Sequence, residues 1–325
     1  MIQPPSTIDL GLDATRIKDP RDAERQHATV VEILKRMFHP AANGRWELQI
    51  LADEVGLGKT FVALATAYSL LSHMRMGGGE PDLEGCYQKV LVITPQNGAL
   101  YAKWRREVSE FIKRCVIESA RDEAARWFAP VAIDRLDDLA LELRRPGNGA
   151  RVLVTHMGVF GGGKLVHYDL KRRFLLGALF RFWGTRFRFD ARERLLKGAP
   201  PDWPRDPSSL TTLTEREQEI LLFTEDELLS ALERLSRRDD QIERLLEECL
   251  AVAERFTRSR DELFRSIGNR LNGLYRSVAT TLIGKDLPLV IVDEAHNWKN
   301  GPATGTNGYY SFRDSMPVAR GERSS

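Results

Sequence analysis

The stretch that decides the fold is residues 51–64, LADEVGLGKTFVAL. Two glycines separated by a leucine stand directly before a lysine and a threonine, and the apolar run WELQILA at residues 46–52 precedes them. A short apolar run of this kind predicts a buried strand, and the apolar residues after Thr60 predict a helix. The sequence therefore predicts a strand, a glycine loop and a helix in succession.

Three further apolar runs alternate with helical patterns. The runs are KVLVITP at residues 89–95, RVLVTH at 151–156 and LPLVIVDE at 287–294. Nearly continuous Val, Ile and Leu is typical of parallel strands that are covered by helices on both faces. Apolar residues spaced three and four apart predict helices at residues 21–38, 61–74 and 101–114. Strands that alternate with helices predict an α/β fold with a largely parallel sheet.

Residues 161–285 break this alternation. A flexible GGGK at residues 161–164 is followed by a basic, aromatic-rich stretch and by the proline-rich turn GAPPDWPRDP at 198–207. We expect a helical insertion here. The predicted organisation is an N-terminal arm at 1–20, an α/β lobe in two parts at 21–160 and 286–312, the insertion at 161–285 between them, and a tail at 313–325.

Two rows of apolar residues in the insertion have helical spacing. The first, at residues 228–256, steps alternately by four and three, which is a heptad seam with one polar interruption at Asp239. The second lies at residues 263–282. Because each row gives a helix one apolar face, we expect the two rows to pack together as a helical hairpin.

Length and composition fit a globular protein of one large domain or two ordinary ones. The 325 residues contain no apolar run near the roughly 18 residues of a membrane span. The first 20 residues lack a basic segment followed by an apolar one, so we expect no export signal. The three cysteines have neither metal-ligand nor disulfide spacing. We therefore expect a cytoplasmic protein without membrane contact.

The net charge of +2 hides two neighbouring segments of opposite sign. Residues 164–197 contain ten basic and three acidic residues, whereas residues 205–248 contain six basic and thirteen acidic ones. Basic residues between aromatic rings can grip a nucleic-acid backbone, and the candidates are Arg181, Arg186 and Arg188. Alternatively, the rings anchor the insertion to the lobe while the arginines pair with the acidic helices. We favour this second, structural interpretation.

The glycine loop has the chemistry of a phosphate site. Gly56, Leu57 and Gly58 can curl so that backbone N–H groups point inward at the start of the next helix. A helix start carries N–H donors and a partial positive charge, which suit phosphate oxygens. Lys59 would reach the β- and γ-phosphates, and the hydroxyl of Thr60 would hold Mg²⁺. The loop therefore predicts a nucleotide site.

A second signal is VIVDEAHNWKN at residues 290–300. An apolar strand that ends in Asp293 and Glu294 places two carboxylates at the C-terminal edge of a sheet, where open α/β sheets bind ligands. Asp293 would hold Mg²⁺, usually through its water shell. Glu294 would orient and deprotonate an attacking water. The alternative is a strand end whose acidic residues enter a turn.

Together, the two motifs resemble motifs I and II of superfamily-two helicases, in the form found in Swi/Snf-like DNA translocases. ADEVGLGKT at 52–60 matches the family's Asp-Glu-x-Gly-Leu-Gly-Lys-Thr, which accounts for Asp53 where the strict phosphate-loop pattern has a glycine. VDEAHNWKN at 292–300 matches its Asp-Glu-Ala-His motif. The segments at 90–108 and 153–160 are similar to motifs Ia and Ib. Within the family, these motifs are most similar to those of bacterial members related to the RNA-polymerase recycling ATPase.

The resemblance covers residues 21–160 and 286–312, and it implies a RecA-like P-loop lobe with ATP and Mg²⁺ as cofactors. It also implies a partner, duplex DNA, contacted along its backbone. Gln26 lies where the family has an adenine-reading glutamine before the loop. His296 would link the nucleotide state to DNA contacts in such a motor.

For three residues in or next to the weaker motifs Ia and Ib, the expected roles are less specific. Thr94 and Thr155 would contact DNA phosphates through hydroxyl or backbone groups, as the resemblance implies. Trp104 follows motif Ia, and we interpret it as core packing in preference to a DNA contact.

Members of the family carry a second RecA-like lobe with an arginine finger. The residues after Asn300 do not resemble that lobe, and the family's Ser-Ala-Thr element after motif II is missing. Because an arginine finger contributes orders of magnitude to the rate, we expect this chain alone to bind ATP with little hydrolysis. The second lobe would be supplied in cis or in trans.

The leading hypothesis is therefore the ATP-binding lobe of a DNA-dependent ATPase. A hypothesis from another class is a non-catalytic, ATP-sensing module that binds a protein partner through the helical insertion. A third is a nucleic-acid-binding adaptor that acts through the basic segment, whose DNA affinity would fall steeply with salt.

Overall fold

Four parallel strands form one sheet in the computed structural model, and helices cover it, which makes the fold α/β. The structure describes residues 2–13, 15–17, 19–38, 49–51, 58–78, 83–145, 151–160, 167–201, 203, 214, 217, 220–221, 224–238, 240–254, 260–282 and 286–294. The strands are β1 Lys89–Thr94, β2 Ala129–Ile133, β3 Arg151–His156 and β4 Leu289–Val292. Their order across the sheet is β2-β3-β1-β4. The predicted α/β class and parallel sheet are confirmed.

Ten α-helices lie within the described ranges. The first five are α1 Pro20–Phe38, α2 Lys59–Arg75, α3 Gly98–Cys115, α4 Glu118–Trp127 and α5 Leu136–Arg144. The other five are α6 Tyr168–Trp183, α7 Phe189–Lys197, α8 Glu225–Ser236, α9 Gln241–Glu254 and α10 Arg260–Thr281. The helices predicted at 21–38, 61–74 and 101–114 are confirmed as α1, α2 and α3. None of these ten helices combines the length and apolar character that crossing a bilayer requires.

Both faces of the sheet are covered, because successive side chains of a strand point to opposite faces. Val90 and Val92 of β1 belong to one core, which α1–α4 complete. Leu91 and Ile93 of the same strand belong to a second core, which α5–α10 complete. Val92 stands opposite Val154 of β3 and opposite Ile291 of β4. Burial on both faces explains why β1 is apolar at nearly every position.

The predicted and observed strands differ in two places. The apolar-run pattern does not predict β2, whose sequence APVAI includes Pro130 and is mostly half-buried. β2 stands at the end of the strand order, where proline is tolerated because one side of the strand needs no ladder partner. Conversely, residues 49–51 of the strand predicted at 46–52 lie outside any strand. The rest of that run is outside the described residues.

Most of the described residues between β3 and β4 belong to the helices α6–α10, but the heptad row does not form one helix. α8 ends at Ser236 and α9 begins at Gln241, so the chain turns where the polar interruption falls. Thr224 and Glu227 form a capping box that starts α8. α9 and α10 pack against each other, so the part of the first row that lies in α9 contacts the helix formed by the second row.

The insertion shares its core with the sheet. Leu179 of α6, Leu246 of α9 and Leu271 of α10 are in the same apolar cluster as Leu91 and Leu153 of the strands. The insertion therefore covers one face of the sheet.

The N-terminal arm packs against the end of α3. Ile8 forms an antiparallel bridge with Val116, and the N–H of Asp9 donates to the carbonyl of Cys115 at 2.8 Å. Ile2 and Leu10 are buried. The arm predicted at 1–20 is thus joined to the core on the α1–α4 side of the sheet.

Candidate functional site

The C-terminal edge of the sheet is the place where the predicted site residues meet. All strands of a parallel sheet end at the same edge, and open α/β folds bind ligands there. Thr94 and His156 end β1 and β3, and Asp293 and Glu294 directly follow β4. The predicted carboxylates are therefore at the expected edge.

Asp293 is held by two contacts to neighbouring elements. Its backbone N–H donates to the carbonyl of Ile93 at 2.9 Å, which extends the pairing of β4 with β1 by one residue. Its carboxylate oxygen Oδ2 accepts a hydrogen bond of 2.7 Å from Nε1 of Trp104. The carboxylate is consequently fixed to α3 as well as to the sheet.

Trp104 lies in the second turn of α3 and is 4% exposed. The side chain of Asn97 caps this helix by accepting from the N–H of Ala99 at 2.9 Å, so α3 begins at Gly98, a short turn after β1. Trp104, Val108 and Phe111 follow at helical spacing and are all buried. The interpretation of Trp104 as a core residue is confirmed. Its hydrogen bond to Asp293 is a contact that the sequence does not predict.

The glycine loop reaches its helix at Gly58. This residue has φ 81°, in the left-handed region that favours glycine, and α2 begins at the next residue, Lys59. The first N–H groups of a helix have no acceptors within the helix, so this end of α2 suits an anion. Thr60 stands in the first turn. Gly56 and Leu57, which complete the predicted loop, lie outside the described residues.

The direction of α2 places this first turn at the C-terminal edge of the sheet, the edge at which Asp293 lies. The Tyr68 ring lies 5.2 Å from the Phe128 ring, and the guanidinium of Arg75 lies 5.1 Å from the ring of Trp127. Trp127 and Phe128 directly precede β2 and mark the N-terminal edge of the sheet. Because the C-terminal half of α2 is at that edge, its first turn faces the C-terminal edge.

Gln26 of α1 is packed against the end of the glycine loop. Gln26 is 4% exposed, and a Cβ placed on Gly58 would lie only 2.5 Å from its Nε2. Arg16 fixes this amide, because its Nη1 donates to Oε1 of Gln26 at 3.1 Å. The guanidinium of Arg16 also donates to the carbonyl of Leu10 and lies 4.3 Å from the ring centroid of Phe61 in α2. The sequence does not predict this role for Arg16.

Glu294 is exposed and has φ 50°. A left-handed backbone costs a residue with a side chain about 1–2 kcal/mol, and such strain is concentrated at functional sites. His296 of the same motif lies outside the described residues. The chain therefore turns sharply at the second predicted carboxylate.

The hydroxyls of Thr94 and Thr155 are engaged inside the fold. Both residues are fully buried. Oγ1 of Thr94 donates to the carbonyl of Thr155 at 3.2 Å, and Oγ1 of Thr155 donates to the carbonyl of Ile133 at 3.0 Å. These hydroxyls connect neighbouring strands. Because these hydroxyls are buried and bonded between strands, a contact with DNA phosphates would have to use the backbone groups of Thr94 and Thr155, and that contact stays a prediction.

A polar cluster that the sequence does not predict lies beside them. The hydroxyl of Tyr101 donates to Oδ1 of Asp134 at 2.9 Å, and the Tyr101 ring lies edge-on, 5.7 Å from the ring of His156. Burial, then the bond to Asp134, raises the pKa of Tyr101. Burial lowers the pKa of His156, and the charge of Asp134 opposes this shift. The rim of the sheet edge therefore carries a neutral histidine at neutral pH.

The basic segment pairs with the acidic helices. Arg181 lies 2.6 Å from a carboxylate oxygen of Glu225, and Nη1 of Arg186 donates to Glu243 at 2.9 Å. Arg188 is different, since its side chain is 83% exposed and 3.8 Å from Asp190. The aromatic residues of the segment are mostly core: Phe180, Trp183 and Phe187 are buried. These contacts favour the structural interpretation for Arg181 and Arg186.

Comparison of the chain with protein-family models, with curated protein sequences and with solved structures found no match.

Proposed function

We propose that this chain is the ATP-binding lobe of a helicase-like, DNA-dependent ATPase with a RecA-like fold. The observation that carries the proposal is the contact of Gln26 with Gly58 at the first turn of α2. These residues are 32 positions apart in the sequence. The family resemblance assigns both to one nucleotide, and the fold brings them together on the side of the sheet where Asp293 follows β4.

The proposed roles follow from side-chain chemistry. Lys59 binds the β- and γ-phosphates as a cation, and Gln26 reads the adenine. Thr60 and Asp293 hold Mg²⁺, which neutralises charge on the phosphates when it is bound. Glu294 orients the attacking water and accepts its proton.

The residues present fit Mg²⁺ in this role. Mg²⁺ is usually bound by one or two carboxylates plus substrate phosphates, and it keeps several waters. Within the described ranges, no group of three or more His, Cys, Asp or Glu side chains could hold a metal ion by itself. Asp293, with one carboxylate oxygen fixed by Trp104, suits a site that is completed by a nucleotide.

The DNA partner rests on the resemblance to duplex DNA translocases, and the second lobe of those motors would complete the ATPase site. Of the three arginines proposed for DNA contact, Arg188 has the most exposed side chain, which suits a phosphate contact. Arg181 and Arg186 would first have to leave their carboxylate partners.

Calorimetric titration with ATP in the presence of Mg²⁺ tests the proposal. Lys59→Ala should weaken ATP binding about ten-fold or more, because a hydrogen bond to a charged group contributes about 1.5–3 kcal/mol. Lys113→Ala is the matched control, since Lys113 is an exposed lysine of α3 and should leave the affinity unchanged. If wild-type protein binds ATP no better than Lys59→Ala, the proposal is wrong.

Turnover separates the proposal from its non-catalytic alternative. Hydrolysis is measured with duplex DNA and with a second lobe supplied, and Glu294→Gln should abolish turnover while ATP still binds. Nucleotide binding without any turnover under these conditions would instead favour the ATP-sensing module.

A further inference from the structure

The hydrogen bond between Trp104 and Asp293 joins the proposed nucleotide site to the first helix after β1. Nε1 of the indole donates to Oδ2 of Asp293 at 2.7 Å, across 189 positions of sequence. A hydrogen bond to a carboxylate is charge-assisted and stronger than a neutral one. Oδ1 of Asp293 accepts no hydrogen bond from any residue in the described part of the chain. One oxygen of the carboxylate is thus fixed, and the other has no protein donor there.

The indole is held firmly enough to orient its partner. Trp104 is 4% exposed and packs in the core with Val92, Val108 and Phe111. The start of α3 is fixed by the Asn97 cap, a short turn after β1, and β1 pairs with β4 immediately before Asp293. Because an indole N–H is a donor only, its bond to Oδ2 fixes the rotation of the two carboxylate oxygens.

We propose that Trp104 is the positioning residue for the magnesium ligand Asp293. Its indole N–H holds Oδ2, so that Oδ1 is presented to the water shell of the ion. This inference rests on the proposed function, and it adds a residue to the site that does not touch nucleotide or metal. Removal of a group that hydrogen-bonds to a metal ligand typically lowers the affinity for the metal 10- to 100-fold.

The test separates magnesium binding from nucleotide binding. Binding of a fluorescent ATP analogue is measured in EDTA and then over a Mg²⁺ titration, for wild-type protein and for Trp104→Phe, which keeps a ring but lacks the donor. The expected result is similar affinity in EDTA and a Mg²⁺ midpoint raised about ten-fold. Trp127→Phe is the matched control, because Trp127 is a buried indole in the same core as Trp104 but lies near the opposite edge of the sheet from Asp293.

Asp293→Asn shows whether the effect passes through the carboxylate. Asp293→Asn alone should raise the Mg²⁺ midpoint, and adding Trp104→Phe to it should raise the midpoint no further, since coupled residues are non-additive. A Trp104→Phe midpoint equal to that of wild type would overturn the inference and leave the proposed function standing. If wild-type protein lacks Mg²⁺-dependent binding, or Asp293→Asn does not change it, the proposed function is overturned and this inference with it.

A measurement on the wild-type protein covers the case in which Trp104→Phe does not fold. The indole N–H resonances of the six tryptophans are followed by NMR as Mg²⁺ is added to the ATP complex. One resonance should respond both to Mg²⁺ and to Asp293→Asn. If no resonance responds to both, Trp104 does not act on the metal ligand.

Discussion

Replacement of Gly58 by alanine perturbs the junction between the glycine loop and α2 in two ways at once. The backbone of Gly58 has φ 81°, and an added Cβ would lie 2.5 Å from Nε2 and 3.0 Å from Cδ of Gln26. Gln26 cannot move aside without loss, because it is buried and its Oε1 accepts from Arg16. We therefore expect a cost from the backbone and a second cost from the displaced amide.

The two costs can be estimated separately. A left-handed backbone costs alanine about 1–2 kcal/mol relative to glycine. Loss of the hydrogen bond between Arg16 and Gln26 costs about 0.5–1.5 kcal/mol more. We predict that Gly58→Ala lowers the free energy of unfolding by about 1.5–3.5 kcal/mol in total.

Urea unfolding followed by circular dichroism measures this difference. Gly77→Ala is the matched control, because Gly77 follows the same helix with φ 75° and has open space where its Cβ would lie. That substitution should cost the backbone part alone, about 1–2 kcal/mol. The effect of alanine on the unfolded chain is the same in both variants and cancels from the comparison.

A double-mutant cycle identifies the residue responsible. In a Gln26→Ala background, the excess cost of Gly58→Ala over Gly77→Ala should vanish, because the colliding amide is gone. If Gly58→Ala is no more destabilising than Gly77→Ala in the wild-type background, then Gln26 does not lie against the loop, and the reasoning is refuted.

Two further predictions concern the insertion and the rim of the sheet edge. Arg186→Glu should lower the thermal midpoint through repulsion from Glu243, and adding Glu243→Arg should restore it; failure of the exchange to recover stability would contradict the pairing. Burial holds the pKa of His156 below 6.5, so the unfolded chain binds the proton more readily, and stability falls as the pH drops through 6.5. His156→Asn should flatten this fall in urea titrations between about pH 7 and 5; an unchanged slope would assign the fall to other groups.

Local sequence predicts those elements whose pattern is set by burial on both faces. β1, β3 and β4 are continuous apolar runs, and α1–α3 have regular helical spacing. β2 is missed because an end strand that contains Pro130 and is only half-buried has neither alternation nor a continuous run. The break between α8 and α9 is missed because a heptad row continues across a turn without any change of period.

The candidate site likewise contains residues that the local sequence predicts and supporting contacts that it does not. Lys59, Thr60 and Asp293 are predicted because the motifs place them at element ends. The contacts that support them depend on packing between distant segments, and no local pattern contains that information. From the sequence alone, Trp104 is predicted only as a core residue of α3, and its hydrogen bond to Asp293 is visible only in the structure. In the same way, the sequence places Arg16 only in the N-terminal arm, and its hydrogen bond to Gln26 is visible only in the structure.

The strand order has a consequence for how the chain reaches its native state. In the parallel pairing of β1 with β4, Val90 stands opposite Leu289, 199 positions later in the chain. Loop-closure entropy must be paid before such a distant pairing stabilises the fold, so sheets of this kind form slowly. During synthesis, one edge of β1 stays unpaired until residue 292 has left the ribosome, and an unpaired apolar edge promotes aggregation. Shielding of that edge by a chaperone should therefore raise the yield of folded protein.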